Sequence, residues 1–286
     1  YESLAAAGLP SSNIPVRNLE LLNEGEYVPV EVTDKNEDGL FNEGDYFEFA
    51  GSAAKASPYA YLNIYNTSNV YWFSYQGDST GSFYHERVKS PSSYIATNQT
   101  SFNTVHLEQD NIYERLGYAP DEKRDYWFWG KAAAVNGVAS PVFETSFNSF
   151  DNFASDSGYI VVRVNMHGMT NLDNCSLDHN AYIYINNKLI GNISWDGQTA
   201  ATFEKKVIIS SSEVSLYPEG NTIKVQTNGD GCSVNNNDEI RINWIEFDYW
   251  RYNRTGKNYT FTSSPGAYGL QRYWTWQWKS GNVKVY

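Results

Sequence analysis

The stretch Ala181-Tyr-Ile-Tyr-Ile-Asn-Asn-Lys-Leu-Ile-Gly191 decides the fold of the second half of this chain. Isoleucine alternates with tyrosine before the two asparagines, which is the period of two that a β-strand requires. Asn186 and Asn187 tolerate the left-handed backbone angles of a tight turn. The stretch therefore predicts an antiparallel β-hairpin.

Further strand patterns lie on both sides of this hairpin at short spacing. They cover 158–165, 201–209, 222–226 and 239–250, with turn sequences such as Pro218-Glu-Gly-Asn221 between them. Short strands at this spacing are typical of a β-sandwich, and we predict one of jelly-roll topology.

The composition places the whole chain in the all-β class. Its 286 residues are 41% hydrophobic and only 19% charged, which suffices for a sizeable core. Length alone allows one large domain or two ordinary ones. The Pro/Ser/Gly/Ala-rich patch from Ala132 to Pro141 favours two, a β-rich domain over 1–140 and a jelly-roll sandwich over 141–286.

The first half contains a loop with the spacing of a calcium site. Between two strand patterns, Asp34-Lys-Asn-Glu-Asp-Gly-Leu-Phe-Asn-Glu-Gly-Asp45 has the spacing of an EF-hand loop, with a glycine at position six. The predicted ligands are the side chains of the first, third, fifth, ninth and twelfth positions and the carbonyl of the seventh: Asp34, Asn36, Asp38, Asn42, Asp45 and Leu40.

The calcium loop departs from the EF-hand pattern in two ways. Asp45 stands where glutamate is usual, so its shorter side chain can make one bond to the ion in place of two. Strands rather than helices flank the loop. The alternative is a polar hairpin that binds nothing, since Asn, Asp and Gly are also ordinary turn residues.

Charge and hydropathy restrict the partners. A net charge of -12 leaves no basic stripe for phosphates, which argues against nucleic acid. No run of eighteen apolar residues predicts a membrane span, and neither a signal peptide nor an initiating Met is present. We therefore expect a processed or excised piece of a longer secreted or cell-surface protein.

The cysteines and the asparagine sequons are the residues that would be modified in an exported protein. Cys175 and Cys232 lie in polar contexts, and in an exported protein a disulfide between them is favoured over two free thiols. Six Asn-x-Ser/Thr sequons are candidate glycosylation sites, a number close to chance for this composition. They are Asn66, Asn98, Asn174, Asn192, Asn253 and Asn258.

Tryptophans suggest a second kind of site. Trp274, Trp276 and Trp278 alternate along one predicted strand and would share a face, and Trp195 with Asp196 follows the hairpin. Exposed rings of this kind stack on sugars, whereas the alternative for both groups is core packing. The other tryptophans of the apolar runs are predicted to be core, namely Trp72, Trp127, Trp129, Trp244 and Trp250.

No catalytic constellation is recognisable. His106, Glu108 and Asp110 alternate on one strand, where a solvated face is simpler than a metal or acid–base cluster. A cysteine peptidase needs a thiolate beside a histidine, and Cys175 near His179 lacks the Gly-rich elbow of such sites. The sequence predicts a protein that is not an enzyme.

The order of several motifs resembles a known family. Together they are similar to the β-rich region upstream of the catalytic domain in gingipain-like (family C25) cysteine peptidases and related PorU-type sortases of type IX secretion. In the first half these motifs are Gly25-Glu-Tyr-Val-Pro-Val30, Gly44-Asp-Tyr-Phe-Glu-Phe49, Asn69-Val-Tyr-Trp72, His106-Leu-Glu-Gln-Asp110 and Asp125-Tyr-Trp-Phe-Trp129. In the second half they are Asp178-His-Asn-Ala-Tyr-Ile-Tyr-Ile-Asn-Asn187, Trp195-Asp-Gly197, Gly220-Asn-Thr-Ile-Lys-Val225 and Asn243-Trp-Ile-Glu-Phe-Asp-Tyr249.

The resemblance covers nearly the whole chain and lacks the peptidase part. It implies a non-catalytic, calcium-stabilised scaffold that positions a partner domain of a larger secreted protein. Two other hypotheses stay open: a carbohydrate-binding module for a surface glycan, and a protomer of an extracellular assembly formed by strand pairing.

Overall fold

The computed structural model describes ten stretches of the chain. These are residues 1–10, 14–54, 66, 68–75, 96–115, 125–135, 138–173, 175–228, 237–254 and 271–273. The described residues up to 75 form one compact unit, and those from 96 onward form another. No described helix is long and apolar enough to cross a membrane.

The first unit combines short strands with a short α-helix and a 3₁₀ turn. Helix α1 spans Glu2–Ala6 and a 3₁₀ turn spans Val16–Asn18; the strands are β1 (Glu20–Asn23), β2 (Glu26–Tyr27), β3 (Val30–Thr33), β4 (Tyr46–Phe49) and β5 (Trp72–Ser74). Strands β2, β1 and β5 form one antiparallel sheet, and β3 pairs with β4. Their shared core contains Ile14, Leu19, Leu21, Val30 and Phe41.

The second unit contains the longer strands. They are β6 (Ala96–Asn98), β7 (Thr100–Glu108), β8 (Ile112–Tyr113), β9 (Trp127–Phe128), β10 (Gly130–Val135), β11 (Val138–Ser140), β12 (Val142–Phe147), β13 (Tyr159–Gly168), β14 (His179–Ile185), β15 (Lys188–Trp195), β16 (Ala200–Ile208), β17 (Asn221–Thr227), β18 (Asp238–Tyr252) and β19 (Gln271–Tyr273). A second 3₁₀ turn covers Ser155–Ser157.

Two antiparallel sheets of this unit enclose its core. One has the order β11-β10-β18-β13-β16 with β7 also on β18, and the other has the order β12-β17-β14-β15. Inward side chains of both sheets, such as Ile160, Ile183, Ile223 and Phe247, are fully buried in one cluster. The predicted all-β class with a sandwich in the second half is confirmed.

The predicted hairpin is confirmed in detail. Strands β14 and β15 pair antiparallel, and Asn186 and Asn187 have φ angles of 47° and 63° between them. Both are the left-handed angles that a tight turn between twisted strands requires.

The domain boundary predicted at residue 140 is wrong. Strand β10 and strand β7 both lie before that boundary, yet both pair with β18, β10 along its first residues and β7 along its last. These pairings place the described residues between 96 and 140 in the second unit. The Ala/Gly/Pro patch that suggested a linker supplies sheet strands instead.

Candidate functional site

The predicted calcium loop lies between β3 and β4, as the strand patterns indicated. Its backbone is left-handed at three residues, Glu37 (φ 58°), Gly39 (φ 77°) and Gly44 (φ 91°). A side chain at Gly39 would be strained at this angle, which accounts for glycine at position six of the loop.

Three predicted ligand side chains lie together at the open side of the loop. The Asp38 Oδ2 atom accepts hydrogen bonds from the amide groups of Asn36 at 3.0 Å and Asn42 at 2.8 Å. The other oxygen of Asp38 accepts from the backbone N–H of Leu40 at 2.8 Å. Positions three, five and nine are therefore brought together by the fold.

Asp34 leaves one oxygen uncommitted. Its Oδ2 accepts from the N–H of Gly39 at 2.7 Å, while its Oδ1 is buried and has no hydrogen-bond partner. A buried carboxylate oxygen without a partner is costly unless a donor or a cation completes it. This atom is the feature of the loop that fits a cation.

Asp45 closes the loop from inside. It is 1% exposed, and its two oxygens accept from the backbone N–H groups of Lys35 at 2.9 Å and Asn42 at 2.8 Å. Each oxygen keeps a second lone pair, so these bonds do not use up its capacity as a ligand.

The donor set as a whole suits a hard cation. It consists of carboxylate, amide and carbonyl oxygens, which are the ligands that calcium takes. Within the described stretches, no three His, Cys, Asp or Glu side chains gather as a metal cluster. The loop differs from such a cluster because amides supply part of its set.

A buried histidine pair occupies one end of the second unit. His179 Nδ1 lies 2.7 Å from Asp238 Oδ1, and its Nε2 lies 3.2 Å from the carbonyl oxygen of Thr170 and 3.5 Å from Asp178 Oδ1. Burial opposes the charged imidazolium, but Asp238 and Asp178 outweigh it and raise the pKa of His179 above its ordinary value. The ring of Trp195 stacks on this histidine with centroids 4.9 Å apart.

Both acids of this cluster also hold backbone groups. Asp238 accepts from Asn180 N–H at 3.1 Å and from the hydroxyl of Thr227. Asp178 accepts from the N–H of Leu172 at 3.0 Å and of Gly197 at 2.8 Å. Sequence patterns do not indicate this cluster, because His179 and Asp238 are 59 positions apart.

An ion-pair network lies across β7, β18 and β13. His106 is held between Glu246 at 2.9 Å and Glu108 at 2.8 Å, and Arg163 binds Glu246 and the carboxylate of Asp248. Burial opposes the charge on His106, yet the two glutamates raise its pKa. The predicted solvated face is therefore wrong: hydrogen-bonded charges largely shielded from water occupy it.

Asp110 ends the same run of alternating residues in a different environment. Burial, reinforced by the charges of Glu108 and Asp125, raises its pKa to about 6. Burial likewise raises the pKa of Asp125. Both shifts have a structural cause, which is burial first and the neighbouring carboxylates second.

The sugar-stacking candidate Trp195 is not supported. Trp195 is 8% exposed and packs on His179, so its ring faces are not available to a ligand. Asp196 is exposed beside it. Trp274, Trp276 and Trp278 lie outside the described residues. The prediction of Trp72 as a core residue is wrong, because its side chain is 71% exposed.

The cysteines and sequons divide between described and undescribed positions. Cys175 is buried and is not a free thiol, whereas Cys232 lies outside the described residues, so their pairing stays a prediction. Among the sequons, Asn66 and Asn192 are exposed, Asn98 is half-buried, and Asn174 and Asn258 are not described.

Asn253 does not suit glycosylation. It is fully buried, and its side-chain amide donates to the carbonyl of Asn98 at 3.1 Å. A glycan on this nitrogen would require the side chain to leave the core, so this predicted site is corrected.

Comparison with known proteins gives likeness of fold. No protein-family model and no curated protein matches the chain. Dimeric latent PorU from Porphyromonas gingivalis is similar over 96% of this chain and 26% of its own, with a TM-score of 0.57 and 12% identity. The chain thus spans about a quarter of that protein.

Carbohydrate-binding modules match weakly. The CBM36-1 domain of a multidomain xylanase from the hindgut metagenome of Trinervitermes trinervoides is 12% identical, over 51% of this chain and 96% of its own, at a TM-score of 0.29. A CBM36 module in complex with calcium and xylotriose is 13% identical, over 50% of this chain and 98% of its own, at 0.27. Scores this low carry no argument about the present chain.

Proposed function

We propose that this chain is a non-catalytic, calcium-stabilised accessory region of a larger secreted or cell-surface protein of the gingipain-like kind. Its role is to position a partner domain or to mediate its assembly. The observation that carries the proposal is the likeness of fold to PorU over 96% of the chain. Since identity is only 12%, the likeness supports the kind of region, and the role is inferred from it.

The engagement of the described histidines supports a non-catalytic role. His106 is held by two glutamates, His179 by Asp238, and His167 Nδ1 lies 2.7 Å from the carbonyl of Gly168. Cys175 is buried. A nucleophilic thiolate needs access to substrate and a histidine with one ring nitrogen open to it, whereas both ring nitrogens of His106 and of His179 are engaged.

Calcium would connect the loop to the core of the first unit. Asp34, Asn36, Asp38, Asn42, Asp45 and the carbonyl of Leu40 would hold the ion. Phe41, the residue after Leu40, is buried in the core, and its N–H donates to the carbonyl of Ile14 at 2.8 Å. Fixing the loop therefore fixes a core residue.

The loop also holds the start of the chain. The amino group of Tyr1 donates to the carbonyl of Asp45 at 2.8 Å, and the N–H of Gly44 donates to Glu2 at 3.0 Å. We expect loss of the ion to loosen both α1 and the core of the first unit, a change of stability rather than of chemistry.

Thermal unfolding tests the calcium part of the proposal. Purified protein is melted in excess calcium and in EGTA, with Asp34→Ala/Asp38→Ala as the loop variant and the exposed Glu43→Gln as control. At a hundredfold excess over Kd, binding stabilises by about 2.7 kcal/mol, so the wild type and the control should melt higher in calcium. Equal melting of all three proteins in both conditions would refute a calcium site.

Hydrodynamic mass and activity test the accessory role. We expect a single species of 32.5 kDa in sedimentation experiments and no hydrolysis of casein. A species of several times this mass would favour the assembly hypothesis. Hydrolysis that survives repurification would refute the non-catalytic role.

A further inference from the structure

An aromatic row lies on the outer face of the first sheet. Leu22 on β1 is directly opposite Tyr27 on β2 and directly opposite Trp72 on β5. Cross-strand partners point to the same face, so the three side chains form one row. Tyr27 is 51% exposed and Trp72 is 71% exposed.

The other face of this sheet is the buried one. Leu21 and Phe73, which also pair across β1 and β5, belong to the core of the first unit. The alternation of the strands therefore requires Leu22, Tyr27 and Trp72 to face away from that core.

The edge strand that carries Trp72 is held in place. The side-chain amide of Asn23 donates to Asn69 Oδ1 at 2.8 Å and to the carbonyl of Val70 at 2.9 Å. These bonds join the end of β1 to the segment that leads into β5. The aromatic row is thus preorganised before any ligand arrives, which lowers the entropy cost of binding.

Packing among the described residues does not account for the exposed faces of the two rings. Neither Tyr27 nor Trp72 stacks on another ring among the described residues. They are two strand spacings apart, about 10 Å, so they do not stack on each other. Single exposed aromatics are ordinary, but two in register around a leucine form a flat platform.

The exposed area of the platform indicates the size of the ligand that it can bind. Aromatic side chains offer roughly 150–250 Å² each, so the exposed fractions leave about 300 Å² on the platform. A stable dimer interface needs about 800 Å² per partner, well above this area. A ligand about two sugar rings long would cover both aromatic rings.

The negative charge on and around the platform indicates the chemical class of the ligand. Glu20 lies on the same face, two residues before Leu22. With a net charge of -12 for the chain, this acid disfavours anionic polymers and supplies an acceptor for sugar hydroxyl groups.

We propose that Tyr27, Leu22 and Trp72 form a binding platform for a neutral glycan, with the two aromatic rings stacking on the C–H faces of separate pyranose rings. This site is independent of the calcium loop and of the scaffold role. It differs from Trp195, which is buried, because its rings are open to solvent.

Affinity electrophoresis in native gels tests the platform. The full chain is run in gels containing arabinoxylan, mixed-linkage β-glucan or galactomannan. We expect at least one of these neutral polysaccharides to retard the wild type. Trp72→Ala and Tyr27→Ala should each weaken the association roughly tenfold, because each removes one stacking ring. Trp72→Phe should keep most of the retardation.

A matched control distinguishes the platform from a general effect of exposed aromatic rings. Tyr217 in the second unit is 55% exposed, so Tyr217→Ala should bind as the wild type does. Absence of retardation by all three polysaccharides overturns the proposal, as does equal retardation of the wild type and Trp72→Ala. Self-association that disappears in Trp72→Ala would assign the platform to a second copy and also overturn it.

Discussion

The His179→Gln substitution should destabilise the second unit and change its dependence on pH. It removes the charged partner 2.7 Å from Asp238 and the ring on which Trp195 stacks. Breaking a buried ion pair typically costs 3–5 kcal/mol. Because Thr227 and Asn180 still donate to Asp238, we expect the lower end, about 3 kcal/mol.

The sign of the pH effect follows from the raised pKa of His179. Below about pH 6.5 the histidine is protonated in both the folded and the unfolded chain, and its full stabilisation is present. As the pH rises through the higher folded pKa, that stabilisation is lost. His106 contributes in the same direction, since its pKa is raised too.

Calorimetric melting at a series of pH values measures both effects. A loss of about 3 kcal/mol should lower the Tm at pH 6 by roughly 6–12 °C for a unit of this size. The fall of Tm between pH 6 and pH 9 should be shallower in His179→Gln than in the wild type. Asp238→Asn, which keeps the shape of the side chain, should also flatten it.

Two results would refute the reasoning. One is a Tm at pH 6 within about 2 °C of the wild type, which would mean that the pair is not buried as described. The other is an unchanged pH slope in both variants, which would mean that the histidine is neutral in the folded protein. His106→Gln serves as the matched variant, because it should remove only its own part of the slope.

Three further substitutions test local features. Gly168→Ala should lower the free energy of unfolding by about 3 kcal/mol or more, because a Cβ atom there would lie 2.2 Å from His179 Nε2. Gly51→Ala is the control: a Cβ atom there has no neighbour nearer than 3.8 Å, so this variant should melt like the wild type. Asp110→Asn should stabilise the protein at pH 7 by up to about 1 kcal/mol after solvent screening, and chemical unfolding at pH 4 should show little gain because the carboxyl is already protonated there. Asn187→Ala should lower the free energy of unfolding by about 1 kcal/mol, because Asn187 has a left-handed φ of 63°. Asn187→Gly should be nearly neutral. Urea titration of both variants would show whether the turn requires a residue that tolerates this angle.

The sequence pattern was sufficient to predict those elements that are formed by residues close together in the chain. The hairpin followed from alternation around Asn186 and Asn187, and the strands around the calcium loop followed from their own periodicity. Each of these elements lies within one short continuous stretch, Val30 to Phe49 or His179 to Trp195, so the sequence pattern and the fold agree.

The wrong predictions have two causes. Some strands pair with partners that are distant in the sequence, and in one strand the pattern does not show which face is buried. Nothing near β7 or β10 indicates that both pair with β18, so the linker-like composition misplaced the boundary. Around Trp72 both faces of the strand are aromatic, with Tyr71 and Phe73 as the packed side. Alternation alone could not show which face was buried.

The pairing of β7 with β18 has a consequence for how the chain matures. His106 and its partner Glu246 are 140 residues apart, so β7 leaves the ribosome or an export channel long before its neighbour is available. Until then its edge is an open template for pairing with other strands, which favours aggregation of the incomplete chain. A truncation between these strands would therefore leave an aggregation-prone fragment rather than a smaller folded unit.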